Sequence, residues 1–126
     1  MGKNKEVIGG PLVINGRQLS LSKAVRAGDF IFLTGQVPMK DGVTITEGTI
    51  EEQTRICIEL IQETLKEAGC SLNDVVKSMV WLKDRDDFPG FNSIFPVMGI
   101  ALIILSEKNL FLKYDSFVKL NTIQVK

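Results

Sequence analysis

The side chains of this sequence leave few routes to acid–base or metal chemistry, because histidine is absent. Histidine is the usual general base near neutral pH and the commonest metal ligand, so its absence excludes Ser/His and Cys/His nucleophilic pairs. The two cysteines, Cys57 and Cys70, match no zinc or redox spacing. The sequence also has no Walker A motif and no GxGxxG after a predicted strand. These features predict a protein without a metal, nucleotide or flavin cofactor.

Charge and length restrict the partners and the number of domains. Fifteen basic residues balance fifteen acidic ones, and no basic stripe is present, which disfavours binding to nucleic acid. The 126 residues fit one domain, residues 1–126. The longest uncharged apolar run, residues 95–105, is too short to cross a membrane. Because no apolar signal segment follows the polar residues 1–6, the predicted location is the cytoplasm, away from membranes.

The N-terminal third predicts a β-hairpin. Residues 21–26 and 30–34 each have the composition of a strand, and Ala-Gly-Asp separates them. Gly9-Gly10-Pro11 predicts an earlier turn. Residues 35–48 predict a loop with a short strand near residues 43–46.

The clearest predicted helix covers residues 50–68. Thr49 is its expected N-cap, and Glu52 stands three residues later, as in a capping box. Gly69 is the expected stop signal. Helical spacing places six residues on one face toward the core: Cys57, Leu60, Ile61, Thr64, Leu65 and Ala68.

Two isoleucines, Ile56 and Ile58, lie off that face and predict contact with another element or another subunit. Residues 75–83 predict a strand rich in β-branched and aromatic residues. One side of this strand is expected to carry Val76, Ser78, Val80 and Leu82.

A second helix is predicted over residues 88–95, with Asp86 and Asp87 able to cap it. Residues 101–105 and 117–125 predict two closing strands. This order of elements predicts an α+β fold, a mixed sheet with both helices packed on one face. The other face would be bare, and self-association is the simple way to cover it.

Four segments of the sequence, in order, resemble the Rid family, also called the YjgF or L-PSP family. They are residues 21–38, the IEEQT start of the first helix at residues 50–55, the AGxSLxDVVK-like residues 68–77, and residues 86–92. The similarity is continuous from about residue 11 to about residue 95. It implies a chorismate-mutase-like fold and a homotrimer with active sites in the clefts between subunits.

The resemblance also implies an activity, the hydrolysis of reactive enamines and imines. The substrates would be imino or enamino acids such as 2-aminoacrylate and 2-iminopropanoate, and the products a keto acid and ammonia. An imine carbon is already electrophilic, so this chemistry needs only a cation for the substrate carboxylate and a polar group that positions water. Some names in the family refer instead to ribonuclease activity or inhibition of translation.

Four residues match positions that border the cleft in the family. Thr34 stands where members often have the Ser of an SGQ segment, and the backbone N–H of Gly35 follows it. Leu21 stands where many members carry an aromatic residue, and Asn92 matches an Asn of the second helix. Each also has a purely structural interpretation, as a strand end, a core residue or a helix-surface residue.

The C-terminal third departs from the family pattern. Leu102 falls where the family has the Arg that binds the substrate carboxylate, and Asn121 falls where it has a water-positioning Glu. Arg26 and Lys23 are the cations able to compensate, but both are expected to be solvated. Two explanations remain open, true divergence and a change of reading frame after about residue 95.

Three functions therefore follow from the sequence. The first is a Rid-like deaminase that works slowly because the family Arg and Glu are missing. The second is a non-catalytic trimeric protein that binds small molecules or acts as a scaffold. The third is an endoribonuclease of the L-PSP type, which rests on family names alone.

Overall fold

The backbone is described for residues 5–95, 101–106 and 118–125 in this computed structural model, and the side chains for residues 5–95. Two α-helices and eight strands are present in these ranges. They are β1 (Lys5–Ile14), β2 (Arg17–Ala27), β3 (Phe30–Leu33), β4 (Met39–Lys40), β5 (Val43–Thr44), α1 (Ile50–Glu67), β6 (Val75–Leu82), α2 (Phe88–Ile94), β7 (Ala101–Ser106) and β8 (Val118–Val125).

Six strands form one mixed sheet in the order β1-β2-β3-β8-β6-β7. All neighbours are antiparallel except β6 and β7, which are parallel. β4 and β5 form a separate small hairpin. The predicted α+β class is confirmed, and so is the hairpin of β2 and β3.

An additional long strand, β1, was not predicted, and Gly9-Gly10-Pro11 is not a turn but part of it. Gly9 and Gly10 have positive φ angles of 78° and 67°, and the β1–β2 register shifts between Ile8 and Pro11. Two residues in this backbone region form a bulge, which glycine tolerates because it has no Cβ. The turn lies instead at Asn15-Gly16, where both φ angles are positive (52° and 77°), as in a two-residue type I′ hairpin.

Helix α1 begins and ends as predicted. The Thr49 side chain accepts a hydrogen bond from the Glu52 backbone N–H at 3.1 Å, which is one half of a capping box. At the other end Gly69 has φ 77°, and the Cys70 N–H donates to the Leu65 carbonyl at 2.8 Å. This pattern is a Schellman-type stop, which satisfies carbonyls at the end of the helix.

The main core lies between the helices and β6, so both helices cover the same face of the sheet. Phe91 of α2 is fully buried, and its ring centroid lies 5.0 Å from that of Phe95. Gly90 lets α2 approach α1 closely, because a Cβ at this position would lie 2.5 Å from Ile50 Cγ2. The buried members of the cluster are Ile50, Cys57, Ile61, Leu65, Val75, Val80, Leu82 and Phe91.

Two details of the predicted packing are wrong. Val76 is 43% exposed instead of sharing the buried side of β6, because the pairing with β8 is irregular between Val75 and Lys77 and Val75 takes the inward place. The side chain of Asp87 makes no capping hydrogen bond to α2. Asp84 caps the preceding 3₁₀ turn instead, accepting from the Asp86 N–H at 2.9 Å.

The face of the sheet opposite the helices is apolar and open in the single chain. Ile8, Ala24 and Ile31 point toward Ala68 of α1, so the residues that alternate with them point away. Val7 (55%), Phe30 (44%) and Phe32 (44%) are exposed there, and the two phenyl rings lie 6.1 Å apart. We call these three residues the open face. No helix in the described ranges has the length and hydropathy of a membrane span.

Replacing Thr54 by valine is expected to stabilise the chain by about 1 kcal/mol, because the buried Thr54 hydroxyl has no hydrogen-bond partner within the described ranges. The matched variant is Thr64→Val, since the buried Thr64 hydroxyl donates to the Leu60 carbonyl at 3.3 Å. It is expected to lose about 0.5–1.5 kcal/mol. Urea unfolding of both variants measures the difference, and equal destabilisation would show that the Thr54 hydroxyl is bonded.

Candidate functional site

Thr34 and Gly35 follow directly after β3, where the strand leaves the sheet. Both are half-buried. The Thr34 backbone N–H donates to the Lys23 carbonyl at 3.0 Å, which extends the β2–β3 pairing by one residue. The N–H is therefore used by the sheet, and the hydroxyl of Thr34 is the group available to a ligand.

Strand register brings Asn121 near this point. In the β3–β8 pair Phe32 lies opposite Ile123, which is the last pair at that end of the two strands. Thr34 follows Phe32 by two residues and Asn121 precedes Ile123 by two, so both lie just beyond the same end of the pairing. On its other side Asn121 lies opposite Met79 of β6. The register thus brings three of the predicted residues, Thr34, Gly35 and Asn121, toward the same end of the β3–β8 pair.

Leu102 occupies a different register position. It lies opposite Ser78, whereas its neighbour Ile103 lies opposite Met79. Residues that are opposite one another share a face of the sheet, and successive residues alternate between faces. On β7 the residue in line with Met79 and Asn121 is therefore residue 103. The family alignment places the Arg position one residue earlier, at Leu102.

The last two predicted residues lie apart from this group in the single chain. Leu21 is 50% exposed on the part of β2 that extends beyond its pairing with β3. Asn92 is exposed on α2. Neither residue borders the cavities next to the β4–β5 hairpin or the one beside Arg55 and Ile94.

The two cations that were candidates to hold a carboxylate have structural partners. Arg26 was expected to be solvated, but its side chain is only 21% exposed. Its Nε donates to Glu6 Oε1 at 3.0 Å and its Nη2 to the Ala68 carbonyl at 3.0 Å, so it fastens the hairpin to the end of α1. Lys23 lies 4.0 Å from Glu67, an exposed and weak pairing.

Sequence reasoning missed Gln36, which is buried and forms part of a cleft beneath the β4–β5 hairpin. Its Nε2 donates to the Val37 carbonyl at 2.7 Å. The cleft has a volume of about 310 Å³. The only sequence signal was a Gln beside the strand end in Thr34-Gly35-Gln36, which does not show that the side chain is covered.

The described residues offer little nucleophilic or metal-binding chemistry. Within those ranges no three Cys, Asp or Glu side chains are grouped as metal ligands. Among the carboxyl groups of the described residues, Asp87 alone has a raised pKa, caused first by burial and then by the charges of Asp84, Asp86 and Glu51. It stands at the start of α2, outside the group of Thr34, Gly35 and Asn121.

The two thiols are expected to react very differently. Cys57 is fully buried, its Sγ lies 3.6 Å from the Gln36 carbonyl, and burial raises the pKa of its thiol far above the usual range. Cys70 is partly exposed.

Because the thiolate is the reactive form, we expect one fast-reacting thiol per native chain with a disulfide reagent at pH 8 and two after denaturation. The Cys70→Ser variant should show none while native, and a fast thiol in it would contradict the burial of Cys57.

Comparison with known proteins supports the resemblance seen in the sequence. The Endoribonuclease L-PSP family matches residues 17–98. A RutC family protein of Pyrococcus abyssi is 48% identical over 75 residues, which is 59% of each chain. The mitochondrial protein mmf2 of Schizosaccharomyces pombe is 43% identical over 89 residues, covering 68% of this chain and 70% of mmf2. The matched segment thus spans about three-fifths of the length of the Pyrococcus relative.

The structural match extends further than the sequence match. The crystal structure of yeast Mmf1 superposes with a TM-score of 0.83 at 25% identity, covering 97% of this chain and 98% of Mmf1. The family match ends at residue 98, before the strands that carry Leu102 and Asn121. The chain belongs to the Endoribonuclease L-PSP family, which is the Rid or YjgF family of the sequence analysis.

Proposed function

We propose that this chain is a Rid-type deaminase that hydrolyses 2-iminopropanoate and related imino acids slowly. The observation that carries the proposal is the β3–β8 register, which brings Thr34, Gly35 and Asn121 toward one end of that strand pair in a chain of this family. These residues supply a hydroxyl, a backbone N–H and a side-chain amide. Such groups bind and orient small polar molecules but carry no charge. Slow hydrolysis is the expected result of such a site.

In the proposed reaction, water adds to the imine carbon and forms a carbinolamine. A proton moves to the nitrogen, the C–N bond breaks, and ammonia leaves with formation of the keto acid. Asn121 orients the attacking water through its amide, and Thr34 donates a hydrogen bond to the substrate. Orientation of water and substrate is a large source of acceleration, and it needs no nucleophilic side chain.

The test is the release of pyruvate from freshly generated 2-aminoacrylate, which tautomerises to 2-iminopropanoate. Pyruvate release is expected to be faster with the protein than in buffer alone. Thr34→Val is expected to reduce this acceleration, because it removes the hydroxyl without changing the shape of the side chain. Thr46→Val is the control, since Thr46 is exposed in the loop before α1. A rate equal to that of buffer would favour the second candidate, a non-catalytic binding or scaffold protein of the same fold.

We also propose that the chain forms a homotrimer through the open face. Light scattering is expected to give three times the 14.0 kDa mass of the chain at micromolar concentration. Phe32→Lys should weaken the assembly, because it puts a charge among Val7, Phe30 and Phe32. Val43→Lys should not, since Val43, 57% exposed, lies on the separate β4–β5 hairpin. A wild-type monomer would overturn the proposal.

Assembly would explain the separation of the predicted residues. Leu21 and Asn92 lie apart from Thr34 within one chain, and in a trimer the Leu21 and Asn92 of a neighbouring subunit can complete the cleft. The proposed ligand is a small imino or enamino acid, and the proposed location is the cytoplasm. The RNA-cleaving activity named for the family lacks support here, because no basic stripe marks the sequence.

A further inference from the structure

A second candidate region for ligand binding lies between α1 and the β4–β5 hairpin, and it includes Gln36, the residue after Gly35. Two cavities of about 310 Å³ and 510 Å³ adjoin there. They adjoin because both have five residues in their walls: Met39, Asp41, Gly42, Leu60 and Glu63. We call this pair of cavities the hairpin groove, and it contains none of the residues assigned to imine hydrolysis.

We propose that the hairpin groove binds a small organic amine as its ammonium ion, with the amine's apolar chain along the walls. The proposal is independent of the deaminase function.

The charges of the hairpin groove favour a cation. Asp41, Glu59 and Glu63 form part of its walls, and none of these carboxylates has an ion-pair partner within the described ranges. Glu59 and Glu63 are one helical turn apart, roughly 5–6 Å between their Cβ atoms. Lys23, the cation at the inner end, lies 4.0 Å from Glu67 outside the groove, so its charge is partly offset. Lys40 alone opposes the three carboxylates at the outer end.

Gln36 adds an amide group to the wall of the inner cavity. Its side chain borders the inner cavity and is only 8% exposed. Its Nε2 is committed to the Val37 carbonyl at 2.7 Å, while its Oε1 has no hydrogen-bond partner within the described ranges. The backbone carbonyl of Gln36 faces the Cys57 Sγ at 3.6 Å, which holds the residue in place. Because this oxygen is not sealed from solvent, an N–H group of a ligand in the cavity can donate to it.

The walls between these polar groups are apolar. Leu12, Val13, Met39 and Leu60 border the cavities, and Ile56 closes the outer end. This position accounts for Ile56, which lies off the core face of α1. Apolar walls with a few polar groups and volumes of roughly 300–1,000 Å³ are typical of sites for small organic molecules. A bare metal ion would leave these walls unused, whereas an alkylammonium ion satisfies both kinds of surface.

The test uses n-hexylamine at pH 7, with 1-hexanol and hexanoate as probes of the same length and different charge. In amide NMR titrations hexylamine is expected to shift the signals of Met39, Leu60 and Glu63, and to bind at least tenfold more tightly than hexanol or hexanoate. Glu63→Gln and Asp41→Asn should each weaken its binding about tenfold, because each removes a charged partner. Asp29→Asn is the control, since Asp29 is exposed in the β2–β3 turn, and it should leave the affinity unchanged.

Three results would overturn the proposal. The first is hexanoate binding as tightly as hexylamine, and the second is hexylamine binding that Glu63→Gln does not weaken in a variant with an unchanged NMR spectrum elsewhere. The third is a titration in which no signal of the hairpin groove moves. A lysine side chain has the same chemistry, so Nα-acetyl-lysine methylamide is titrated as well. Tighter binding of that probe than of hexylamine would indicate a protein partner and would also contradict a small amine.

Discussion

The double substitution Ile103→Arg and Asn121→Glu is expected to raise kcat/KM for 2-iminopropanoate by about 30-fold to nearly a thousandfold. An aliphatic side chain cannot pair with the substrate carboxylate, and a charge-assisted bidentate contact of Arg with a carboxylate contributes roughly 2–4 kcal/mol. The glutamate would add a base that accepts a proton from the attacking water. Initial rates of pyruvate release measure the gain.

The register of β7 supplies a matched variant for this experiment. Ile103 and Asn121 both lie opposite Met79, whereas Leu102 lies opposite Ser78 on the alternate face. The variant Leu102→Arg with Asn121→Glu therefore tests the position that the family alignment gives. A gain in this variant alone would assign the arginine position to residue 102 and contradict the register. If neither variant gains activity, the low activity of the chain would be caused by the altered segment that follows residue 95 and not by these side chains.

Phe91→Ala is expected to lower the free energy of unfolding by about 3–5 kcal/mol, the largest stability effect that we predict. Phe91 is completely buried between the two helices and β6, and its ring packs against Phe95 at 5.0 Å. Gly90 holds α2 close to α1, so the helices have little room to close over the cavity. Urea unfolding at a fixed protein concentration measures the loss, since association also contributes to stability.

Phe88→Ala is the control for this measurement. Phe88 lies in the same helix but is 39% exposed, so its loss is expected to be below about 1 kcal/mol. Similar losses for the two variants would show that α2 is not held to α1 by Phe91.

Local signals predicted the central part of the fold because they act within a few residues. The Thr49 cap, the Gly69 stop and the apolar spacing of Cys57, Ile61 and Leu65 define α1 without help from the rest of the chain. The β2–β3 hairpin is equally local. The burial of two polar residues in the same helix, Gln53 and Thr54, was not predicted, although both are fully buried. Their burial depends on packing against other elements, and a helical pattern of apolar residues cannot show it.

The N-terminal strand shows where local reasoning failed. Gly9-Gly10-Pro11 has the composition of a turn, but the partner strand β2 continues past it and β1 absorbs the glycines as a bulge. The pair Asn15-Gly16 carried the real hairpin signal. The prediction that Val76 faces inward was wrong for a similar reason, since an irregular register at the start of β6 reverses the expected alternation of side chains.

The candidate site was only partly accessible from the sequence. Thr34 and Asn121 are 87 positions apart along the chain, and only the β3–β8 register indicates that they lie toward the same end of that strand pair. The resemblance to the family named both residues but gave no such register, and it placed the arginine position at Leu102. Arg26 was misjudged because its partners, Glu6 and the Ala68 carbonyl, belong to elements brought together by folding.

The most direct test of the account compares kcat/KM for 2-iminopropanoate between this chain and a family member that carries both the Arg and the Glu. Pyruvate release is followed under identical conditions, with both proteins assembled. We expect the value for this chain to be lower by about 30-fold to nearly a thousandfold, yet above the rate in buffer. Equal values would contradict the account, because another cation of this chain would then have to hold the substrate carboxylate.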